Sequence, residues 1–468
     1  MSPRPTGAVV LGGSLAGLLA ARALAPYAGR VTVLERDALP TGPRPRRGLP
    51  QARHAHQLWS GGARALEELL PGVTGRLRQA GAHRLPVTTD MVVLSPQGWY
   101  RRWDESHGML LCTRDLLDAT VRTLVCADER IEVVEHAEAL GLDCPDGTVT
   151  GVRARVRGTA ERTLRAGLVV DATGRASRTP RWLAELGLPA PRTRRVDAGV
   201  VYASRLYRAP EGARDGFPVV NVQLDPRSWG PGRGGVLLPV EDGRWLVTLY
   251  GSRGGEPSAD AGDFERYARK ELRHPVIGEL LARAEPLGDV SLTRTTANRR
   301  HFYERMPGWP ENLVVLGDAL AAFNPVYGHG MSVAAQSAVA LRSVLGRSGW
   351  HAPDLARSAQ RAVARPVGAA WELAVGQDVF FPGAARGGPS LRERLSAAYV
   401  GRLAYTATGN GRVARRVTDV MALERGAHVL LAPSVLTAAA AGPLKPELSG
   451  PPLTKREREA AGMLQGAP

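Results

Sequence analysis

Glycines near the start of the chain are the first residues whose types and spacing suggest a chemistry. Gly12 follows an apolar run, and Gly17 completes the spacing G-x-S-x-x-G, in which Ser14 replaces the second glycine of a dinucleotide-binding turn. Serine is small, so the backbone can still approach a phosphate closely. Glu35 ends the next apolar run, where a carboxylate binds ribose hydroxyls. The sequence therefore predicts a dinucleotide site built from Gly12, Gly13, Ser14, Ala16, Gly17, Glu35 and Arg36.

A second group of spaced residues lies in the stretch GDALAAFNPVYGHGM, which begins at Gly317. Asp318 follows a short apolar run, and its carboxylate could accept hydrogen bonds from sugar or sugar-alcohol hydroxyls. A long helix of small residues begins after Gly328, and its N-terminus favours an electron-rich ring edge. An aspartate that only caps this helix is the alternative interpretation. Pairing with the N-terminal glycines favours cofactor binding by Gly317, Asp318, Pro325, Gly328, Gly330 and Met331.

The histidines and cysteines are the next residue types that could bind a metal ion. His54 and His56 form an H-x-H pair, but metal ligation needs further ligands, and the neighbouring sequence points to none. Cys112, Cys126 and Cys144 form no C-x-x-C pair, and their small, odd number indicates a reducing compartment. The sequence therefore predicts no metal site, and it predicts packing or hydrogen bonding for the two histidines.

Strands and helices must hold these residues in place. Apolar runs predict buried strands at 8–11, 31–34, 166–171 and 312–316. The middle third is rich in strand patterns, at 198–207, 217–224 and 291–303 and in a hairpin at 235–250 that turns at 241–243. Helices are predicted at 15–24, 51–71 and 263–283 and after an N-cap at Thr113. A Pro-, Gly- and Arg-rich loop is predicted at 37–50.

The order of these elements predicts an α/β fold. A Rossmann-like, parallel-sheet cofactor domain is interrupted by an inserted β-sheet and followed by a helical region. The expected boundaries are 1–86, 109–190 and 304–350 for the discontinuous cofactor domain, 87–108 and 191–303 for the substrate-binding sheet, and 351–468 for the C-terminal helical region.

The amino-acid composition limits the classes of protein to which this chain can belong. The 468 residues include 61 Lys and Arg against 45 Asp and Glu, a net charge of +16, and only three of the basic residues are lysines. A GC-rich genome accounts for so much arginine, and no basic block with interleaved aromatics appears, so we predict no nucleic-acid partner. No charge-free apolar run reaches about 18 residues, which predicts no membrane span. Because the first strand begins at once, no signal peptide and a cytoplasmic location are expected.

The paired motifs resemble those of the flavoprotein monooxygenase superfamily that contains para-hydroxybenzoate hydroxylase and squalene epoxidase. Gly317, Asp318, Pro325, Gly328 and Gly330 match its GD…P…G-x-G pattern. The resemblance implies the para-hydroxybenzoate hydroxylase-like fold, FAD as the cofactor, and binding of the ribityl chain by Asp318. The superfamily often has His and Asn where this chain has Leu320 and Met331.

The turn D-A-T-G-R and the segment PQARHAHQLWSGGARALEELLPG, from Pro50 to Gly72, narrow the resemblance. Together they are similar to the epoxidases of bacterial polyether ionophore biosynthesis, such as the lasalocid and monensin epoxidases. That likeness implies further cofactor contacts by Arg53, Arg114, Asp171 and Gly174. It also implies stereoselective epoxidation of alkenes in a linear polyketide through a C4a-hydroperoxyflavin, with molecular oxygen as co-substrate and no catalytic side chain. NAD(P)H or a separate flavin reductase would supply the electrons.

Six apolar or aromatic side chains are candidates for an apolar substrate pocket between the inserted sheet and the flavin, about half of which we expect to be core: Phe217, Val222, Trp245, Leu249, Phe323 and Tyr327. Alanine at Gly330 is expected to crowd both the flavin edge and the start of the helix.

Three other functions are alternatives to epoxidation. An aromatic-polyketide hydroxylase shares the fold and the cofactor and is the main alternative. A flavin halogenase needs an early lysine and a W-x-W-x-I-P motif, whereas the first lysine here is Lys270 and the motif is absent. A flavin-binding or nucleic-acid-binding protein without activity would explain the positive charge but would leave a complete cofactor site without a use.

Overall fold

The computed structural model describes residues 6–228 and 230–464. The strands of this part of the chain are β1 (Gly7–Leu11), β2 (Arg30–Leu34), β3 (Gln57–Leu58), β4 (His83–Pro86), β5 (Met91–Ser95), β6 (Gly98–Trp99), β7 (Gly108–Leu111), β8 (Ile131–Val134), β9 (Ala137–Asp143), β10 (Gly151–Val156), β11 (Arg162–Arg165), β12 (Leu168–Asp171), β13 (Thr193–Val196), β14 (Val201–Arg208), β15 (Val219–Val222), β16 (Arg233–Val240), β17 (Arg244–Gly251), β18 (Glu285–Thr293), β19 (Asn298–His301), β20 (Leu313–Val315) and β21 (Ala321–Ala322). The helices are α1 (Leu15–Leu24), α2 (Ser60–Leu69), α3 (Val73–Gln79), α4 (Arg114–Cys126), α5 (Thr179–Glu185), α6 (Ala261–Arg266), α7 (Val276–Leu281), α8 (Gly330–Ser348), α9 (Leu355–Asp378), α10 (Leu391–Gly409), α11 (Gly411–Met421), α12 (Pro433–Ala441) and α13 (Lys455–Ala460).

A five-stranded parallel sheet forms the base of the fold, in the order β20-β12-β1-β2-β8. The last residues of its strands are neighbours, because Leu11 pairs with Leu34 and Asp171, and Asp171 pairs with Val315. In a parallel sheet, the segments that follow such residues meet at one edge. The register therefore brings the glycine turn, Glu35, the D-A-T-G-R turn and the G-D motif to a common edge.

Helices cover this sheet and hold its edge strand. α8 packs against α1, α2 and α9. Gln360 of α9 is 1% exposed and bonds both backbone groups of Val315 in β20, accepting from its N–H at 2.8 Å and donating to its carbonyl at 3.1 Å. Because β20 is the outermost strand, these two bonds supply the partners that a further strand would have given.

The second large sheet has seven strands in the order β18-β14-β17-β16-β15-β5-β6. Side chains alternate between its faces, as the pleat requires. The far face packs against α6 and α7 around aromatic side chains that include Trp245, Phe217 and Phe264. The near face bonds segments outside this sheet, because Thr248 accepts a hydrogen bond from the N–H of Ala55 at 2.8 Å and Tyr202 donates to Asn324.

The structure confirms the sheet architecture and the hairpin, whose strands β16 and β17 flank residues 241–243. Thr113 caps α4 as predicted, accepting from the N–H of Leu116. The single strand predicted at 291–303 is wrong, because β18 ends at Thr293 and β19 joins another sheet. A strand pattern does not reveal which partner a segment will pair with.

Two predicted helices are also shorter than expected. The first half of 51–71 contains a helical turn, Pro50–Arg53, and the short strand β3, so helix begins only at Ser60. The helix predicted at 263–283 is divided, because Pro275 lacks a backbone donor and stands at the start of α7. Among the described residues, no helix combines the length and apolar character that crossing a membrane requires.

Candidate functional site

Two glycines shape the turn after β1. Gly12 has φ +96°, and a Cβ there would lie 2.7 Å from the carbonyl oxygen of Ala172. A Cβ on Gly17 would lie 1.8 Å from the carbonyl oxygen of Gly12, so α1 starts as close to the strand as its backbone allows. Ser14 is the N-cap, with extended backbone. The N-terminus of α1 thus lies at the edge where the parallel strands end, a position suited to a phosphate.

Glu35 lies beneath this turn and is 4% exposed. Its carboxylate accepts hydrogen bonds from the N–H groups of Gly13 at 2.8 Å and Asp37 at 3.0 Å, and it forms an ion pair with Arg46. Burial raises the pKa of Glu35, but the charge and hydrogen bonds of these partners outweigh it and leave the pKa below its usual value. Glu35 is therefore ionised at neutral pH.

Sequence analysis did not predict Arg46 as a site residue. The only indication of it was the number of arginines in the predicted 37–50 loop. The loop places the guanidinium over the glycine turn, where Nη1 donates to the carbonyl of Gly13 at 3.2 Å. Its Nε is buried and has no hydrogen-bond partner among the described residues. A phosphate or ribose oxygen of a bound nucleotide would satisfy that donor.

The three arginines predicted at the cofactor differ in burial. Arg114 is 7% exposed at the start of α4, where it donates to Asp118 at 2.7 Å and lies 3.4 Å from the hydroxyl of Ser14. The structure thus brings Arg114 to the glycine turn. Arg36 and Arg53 are exposed. Arg36 lies beside the carboxylate of Asp37, and Arg53 lies near that of Asp115.

The segment after β20 adds the G-D motif to the common edge of the parallel sheet. Gly317 has φ +62°, and a Cβ there would lie 2.8 Å from the Cβ of Ala16. The side chain of Asp318 is 38% exposed, and one of its oxygens lies 3.8 Å from the guanidinium of Arg175. Partial desolvation raises the pKa of Asp318 above its usual value, and the charges of Arg175 and Arg114 partly oppose that rise. The glycine turn and the G-D motif therefore share one electrostatic environment.

The segment 324–330 leads into α8 and is called the motif loop here. Pro325 opens a helical turn that ends at Gly328, which has φ +65°. A Cβ on Gly330 would meet no atom of the described residues outside its own helix within 4 Å, so the neighbouring segments do not crowd alanine at the helix start as expected. Met331 follows in the first turn and is 7% exposed. The N-terminus of the 19-residue helix α8 therefore opens onto free space.

The D-A-T-G-R turn joins these segments through two residues. The carboxylate of Asp171 is fully buried and accepts from Thr173, Ser177 and Thr179 at 2.5 to 2.9 Å, so it holds its own turn. Arg175 was not anticipated as a site residue. It donates to the carbonyls of Ala297 at 2.7 Å and Phe323 at 2.6 Å, which ties the turn to the segment before the motif loop. Gly174, φ +78°, faces Asp318.

Four of the six pocket candidates lie on the far face of the large sheet. Phe217, Val222, Trp245 and Leu249 are at most 2% exposed and belong to the core beneath α6 and α7. Their assignment to the pocket is wrong, since they pack among the core side chains beneath α6 and α7 and away from the motif loop. Phe323 and Tyr327 do lie in or beside the motif loop, the former 6% exposed and the latter half-buried.

The near face instead presents polar aromatic side chains that sequence reasoning missed. Tyr202 and Tyr250 have ring centroids 5.7 Å apart, and the ring of His54 lies 6.0 Å from that of Tyr202. His54 is 3% exposed and its Nδ1 lies 2.8 Å from the hydroxyl of Ser204. The alternation of side chains along the strands could have revealed this face. Tyr202 and Tyr250 alternate with the core residues of their strands and therefore point to the opposite face.

Both histidines of the H-x-H pair are neutral at pH 7. Burial lowers the pKa of His54 to about 4. Burial, followed by the positive charge of Arg114, lowers the pKa of His56 to about 3, and its Nδ1 lies 2.7 Å from the carbonyl of His54. Each therefore has a hydrogen-bonded, structural position. Among the described residues, no group of three or more His, Cys, Asp or Glu side chains is arranged to hold a metal ion.

Comparisons with known proteins agree with this geometry. Residues 8–179 match the family model described as FAD dependent oxidoreductase. The chain is 32% identical over 385 residues to Protein Rv3254 of Mycobacterium tuberculosis, with 80% of each chain covered. It is 30% identical over 360 residues to the kynurenine 3-monooxygenase of Salinispora tropica, with 74% of each covered. The chain belongs to the FAD-dependent monooxygenase family.

The fold of this monooxygenase agrees with that family. PqsL, a probable FAD-dependent monooxygenase from Pseudomonas aeruginosa, superposes with a TM-score of 0.60 at 16% identity, covering 84% of this chain and 99% of that one. The fold is of the para-hydroxybenzoate hydroxylase type, as the sequence predicted. FAD is the cofactor of the monooxygenase, and NAD(P)H-dependent reduction is typical of such enzymes.

The residues at the common edge fit FAD. The glycine turn has backbone where a Cβ would clash, the N-termini of α1 and α8 stabilise negative charge, and Arg46 has a buried donor to spare. Carboxylates at Glu35 and Asp318 offer acceptors for ribose and ribityl hydroxyls. Candidate partners for a phosphate, a ribose and a ring edge thus lie along a single edge of the parallel sheet.

Proposed function

We propose that this monooxygenase epoxidises alkenes in a linear, polyketide-like substrate that is largely apolar. The observation that carries this proposal is the state of the tyrosine and histidine side chains around the motif loop. Each is hydrogen-bonded and neutral at pH 7, whereas oxygen transfer to an alkene needs no side chain to give or take a proton. Position and dryness are then the main contributions of the protein.

The individual groups illustrate this. Burial raises the pKa of both Tyr202 and Tyr327 well above the usual value, so both phenols remain protonated. Burial lowers the pKa of His329 to about 4, and its Nε2 lies 3.0 Å from the carbonyl of Met421. His54 is likewise neutral and bonded to Ser204. A general base poised near neutral pH would need a very different environment.

Apolar side chains surround the same region. Between the near face and the small sheet β3-β7-β4 lies a buried layer made of Trp59, Leu85, Val87, Met91, Val93, Met109, Leu111, Val219 and Leu238. Such a layer is core packing that keeps water away from the near face. This supports a hydrocarbon chain more than a charged or strongly polar molecule.

We further propose how the chain holds FAD. The pyrophosphate lies at the glycine turn with Arg114, Arg46 and the exposed Arg53, the ribose at Glu35 beside Arg36, and the ribityl chain at Asp318. Gly174, Pro325, Gly328, Gly330 and Met331 shape the space for the ring, and Asp171 acts by holding its turn. When reduced, FAD activates dioxygen, so that one oxygen atom enters the substrate and the other leaves as water.

The electrons for this reaction come from NAD(P)H directly or through a separate flavin reductase. Anaerobic mixing of the purified protein with NADPH separates the two routes. Rapid loss of the oxidised-flavin absorbance shows direct reduction, and slow loss that an added flavin reductase accelerates shows the second route.

Aromatic hydroxylation is the second candidate. Two observations favour it: the 30% identity to a kynurenine 3-monooxygenase, and the phenol hydroxyls of Tyr202 and Tyr250 on the near face. Hydroxyl groups there could orient a phenol or an aromatic amine by hydrogen bonding. This reaction would need a group that activates the ring, which the buried neutral side chains do not readily provide.

A competition assay separates the two reactions. The FAD-loaded protein, NADPH and a flavin reductase are incubated with an equimolar mixture of a linear triene ester and a naphthol, and products are measured by mass spectrometry. Epoxidation predicts a product about sixteen mass units heavier, the mass of one inserted oxygen atom, from the triene. Oxidation of the naphthol alone would replace the epoxidase proposal with the hydroxylase.

A further inference from the structure

We propose that Asp378, the last residue of α9, is a positioning residue of the flavin site: it holds the motif loop, and through it the start of α8, where FAD binds. Asp378 belongs to the C-terminal helical region, which carries none of the sequence motifs. The inference rests on family membership and FAD binding and is independent of the substrate proposed above.

Three neutral donors converge on this carboxylate. Asp378 is 1% exposed. One of its oxygens accepts from the side-chain amides of Asn298 at 2.7 Å and Asn324 at 2.8 Å, and the other accepts from the hydroxyl of Tyr327 at 2.7 Å. A carboxylate offers enough acceptor sites for all three donors, which one amide oxygen or one hydroxyl could not match in this geometry.

The donors come from different parts of the fold. Asn298 is the first residue of β19, and its side-chain oxygen accepts from the N–H of Asn324 at 2.7 Å. Asn324 in turn accepts from the hydroxyl of Tyr202 on the near face of the large sheet. The hydroxyl of Tyr202 also accepts from the N–H of Val326 at 2.8 Å. Asp378 is thus the centre of a network that joins α9, β19, the motif loop and the substrate-facing sheet.

The network holds the residues that immediately precede the flavin-facing turn. Asn324 caps the helical turn 325–327, and Gly328 to Gly330 follow directly. The ring of Tyr327 is stacked on that of His329, with centroids 6.4 Å apart and planes 12° apart. His329 is the N-cap of α8. A shift of Tyr327 or Asn324 therefore displaces the N-terminus of α8, whose free N–H groups lie in the flavin site.

Among the described residues no cation pairs with Asp378, and burial without a cationic partner argues that the carboxylate is not present for stability alone. Burial raises the pKa of Asp378, and the hydrogen bonds from Tyr327, Asn324 and Asn298 oppose that rise. A buried carboxylate is tolerated only when its acceptors are filled, and an apolar residue of similar size is often the more stable choice. Fixing a loop at the flavin gives the carboxylate a use that an apolar residue would not serve.

The test compares Asp378→Leu with the matched control Asp128→Leu. Asp128 also accepts three side-chain hydrogen bonds, from Arg22 and Arg130, but it lies beside the start of β8, at the opposite edge of the parallel sheet. FAD dissociation constants are measured by flavin fluorescence, together with the visible circular dichroism of bound FAD and the melting temperature of each apoprotein. Asp378→Leu is expected to weaken FAD binding at least tenfold and to change the dichroism, whereas Asp128→Leu lowers only the melting temperature.

A second pair of variants applies if Asp378→Leu does not fold. Tyr327→Phe removes one donor to Asp378, and Tyr267→Phe removes a buried hydroxyl on the far face that bonds the carbonyls of Tyr250 and Gly255. Tyr327→Phe is expected to weaken FAD binding about threefold with an altered flavin dichroism, and Tyr267→Phe to leave both unchanged. The proposal is overturned if Asp378→Leu folds and binds FAD within twofold of the wild type, or if Tyr327→Phe leaves affinity and dichroism unchanged.

Discussion

The proposed site has a nucleotide end at the glycine turn and a substrate-facing end at the motif loop. These two ends are built in different ways. At the glycine turn, glycines allow close backbone contacts, and an ion pair between Glu35 and Arg46 fixes the loop that covers the turn. At the motif loop, Asp378 binds three neutral donors from widely separated segments. The first end depends on backbone shape and charge, and the second on a long-range network. The difference teaches that substitutions at the two ends should act in different ways, through backbone clashes and lost charge at the first and through displacement of the motif loop at the second.

The sharpest way to break the nucleotide end is Gly17→Ala. Its Cβ would lie 1.8 Å from the carbonyl oxygen of Gly12, so the turn must move. We expect a loss of about 3 kcal/mol or more in the free energy of unfolding, measured by urea titration, and no retained FAD. Gly75→Ala in α3 is the control, because nothing lies within 4 Å of its Cβ. Equal stability of the two variants would contradict the close packing inferred for α1.

Charge at the nucleotide end is tested by Arg46→Met. Removing Arg46 leaves Glu35 buried without its cation, which we expect to lower the free energy of unfolding by about 3 kcal/mol. The matched control is Arg30→Met, because Arg30 and Glu132 form an exposed pair at 2.8 Å. That change should lie within about 0.5 kcal/mol of the wild type. Similar losses in both variants would show that burial of the Glu35 pair has no special weight.

The substrate-facing end is tested by the dependence of protein stability on pH. His54 has a folded pKa of about 4 against 6.5 for the free side chain, so below pH 6.5 the unfolded chain takes up a proton that the folded one does not. Stability is therefore lost as the pH falls from 6.5 towards 4, by about 2 kcal/mol at pH 5 for this group. His54→Gln should remove that part of the loss in urea titrations at pH 7 and pH 5 with excess FAD. The exposed His351→Gln should keep the wild-type dependence, and an unchanged dependence in His54→Gln would argue against a buried neutral His54.

The mildest test lies where the two ends meet. Gly330→Ala adds a methyl group in open space, so the apoprotein should melt at the wild-type temperature. FAD affinity should nonetheless fall about tenfold, or about 1.4 kcal/mol, because the added carbon faces the flavin. A parallel fall in melting temperature would mean that the space belongs to the protein core.

Much of the nucleotide end could be predicted from sequence because its rules are local. The spacing of Gly12, Gly17 and Glu35 follows from backbone geometry within one strand–helix–strand unit, and the register then placed Asp318 beside it. Arg46, Arg175 and Asp378 could not be found in this way, since loop and tertiary geometry sets their partners and the spacing of the motifs does not.

The substrate-facing sheet shows the complementary limit. Alternation correctly separates Trp245 and Leu249 from Thr248 and Tyr250, yet it does not say which set faces the cofactor. The aromatic side chains were assigned to the pocket for their size, but large apolar side chains are most often core. Only the packing of α6 and α7 on one face settles the question.

The most direct test of the account is the source of the oxygen atom in the product. The FAD-loaded protein, with a reductant, is incubated with the linear triene ester under isotopically labelled dioxygen, and the product is analysed by mass spectrometry. The account predicts an epoxide that carries the label, and the same product without label when only the water is enriched. Label arriving from water, or oxidation of phenols with the triene untouched, would contradict it.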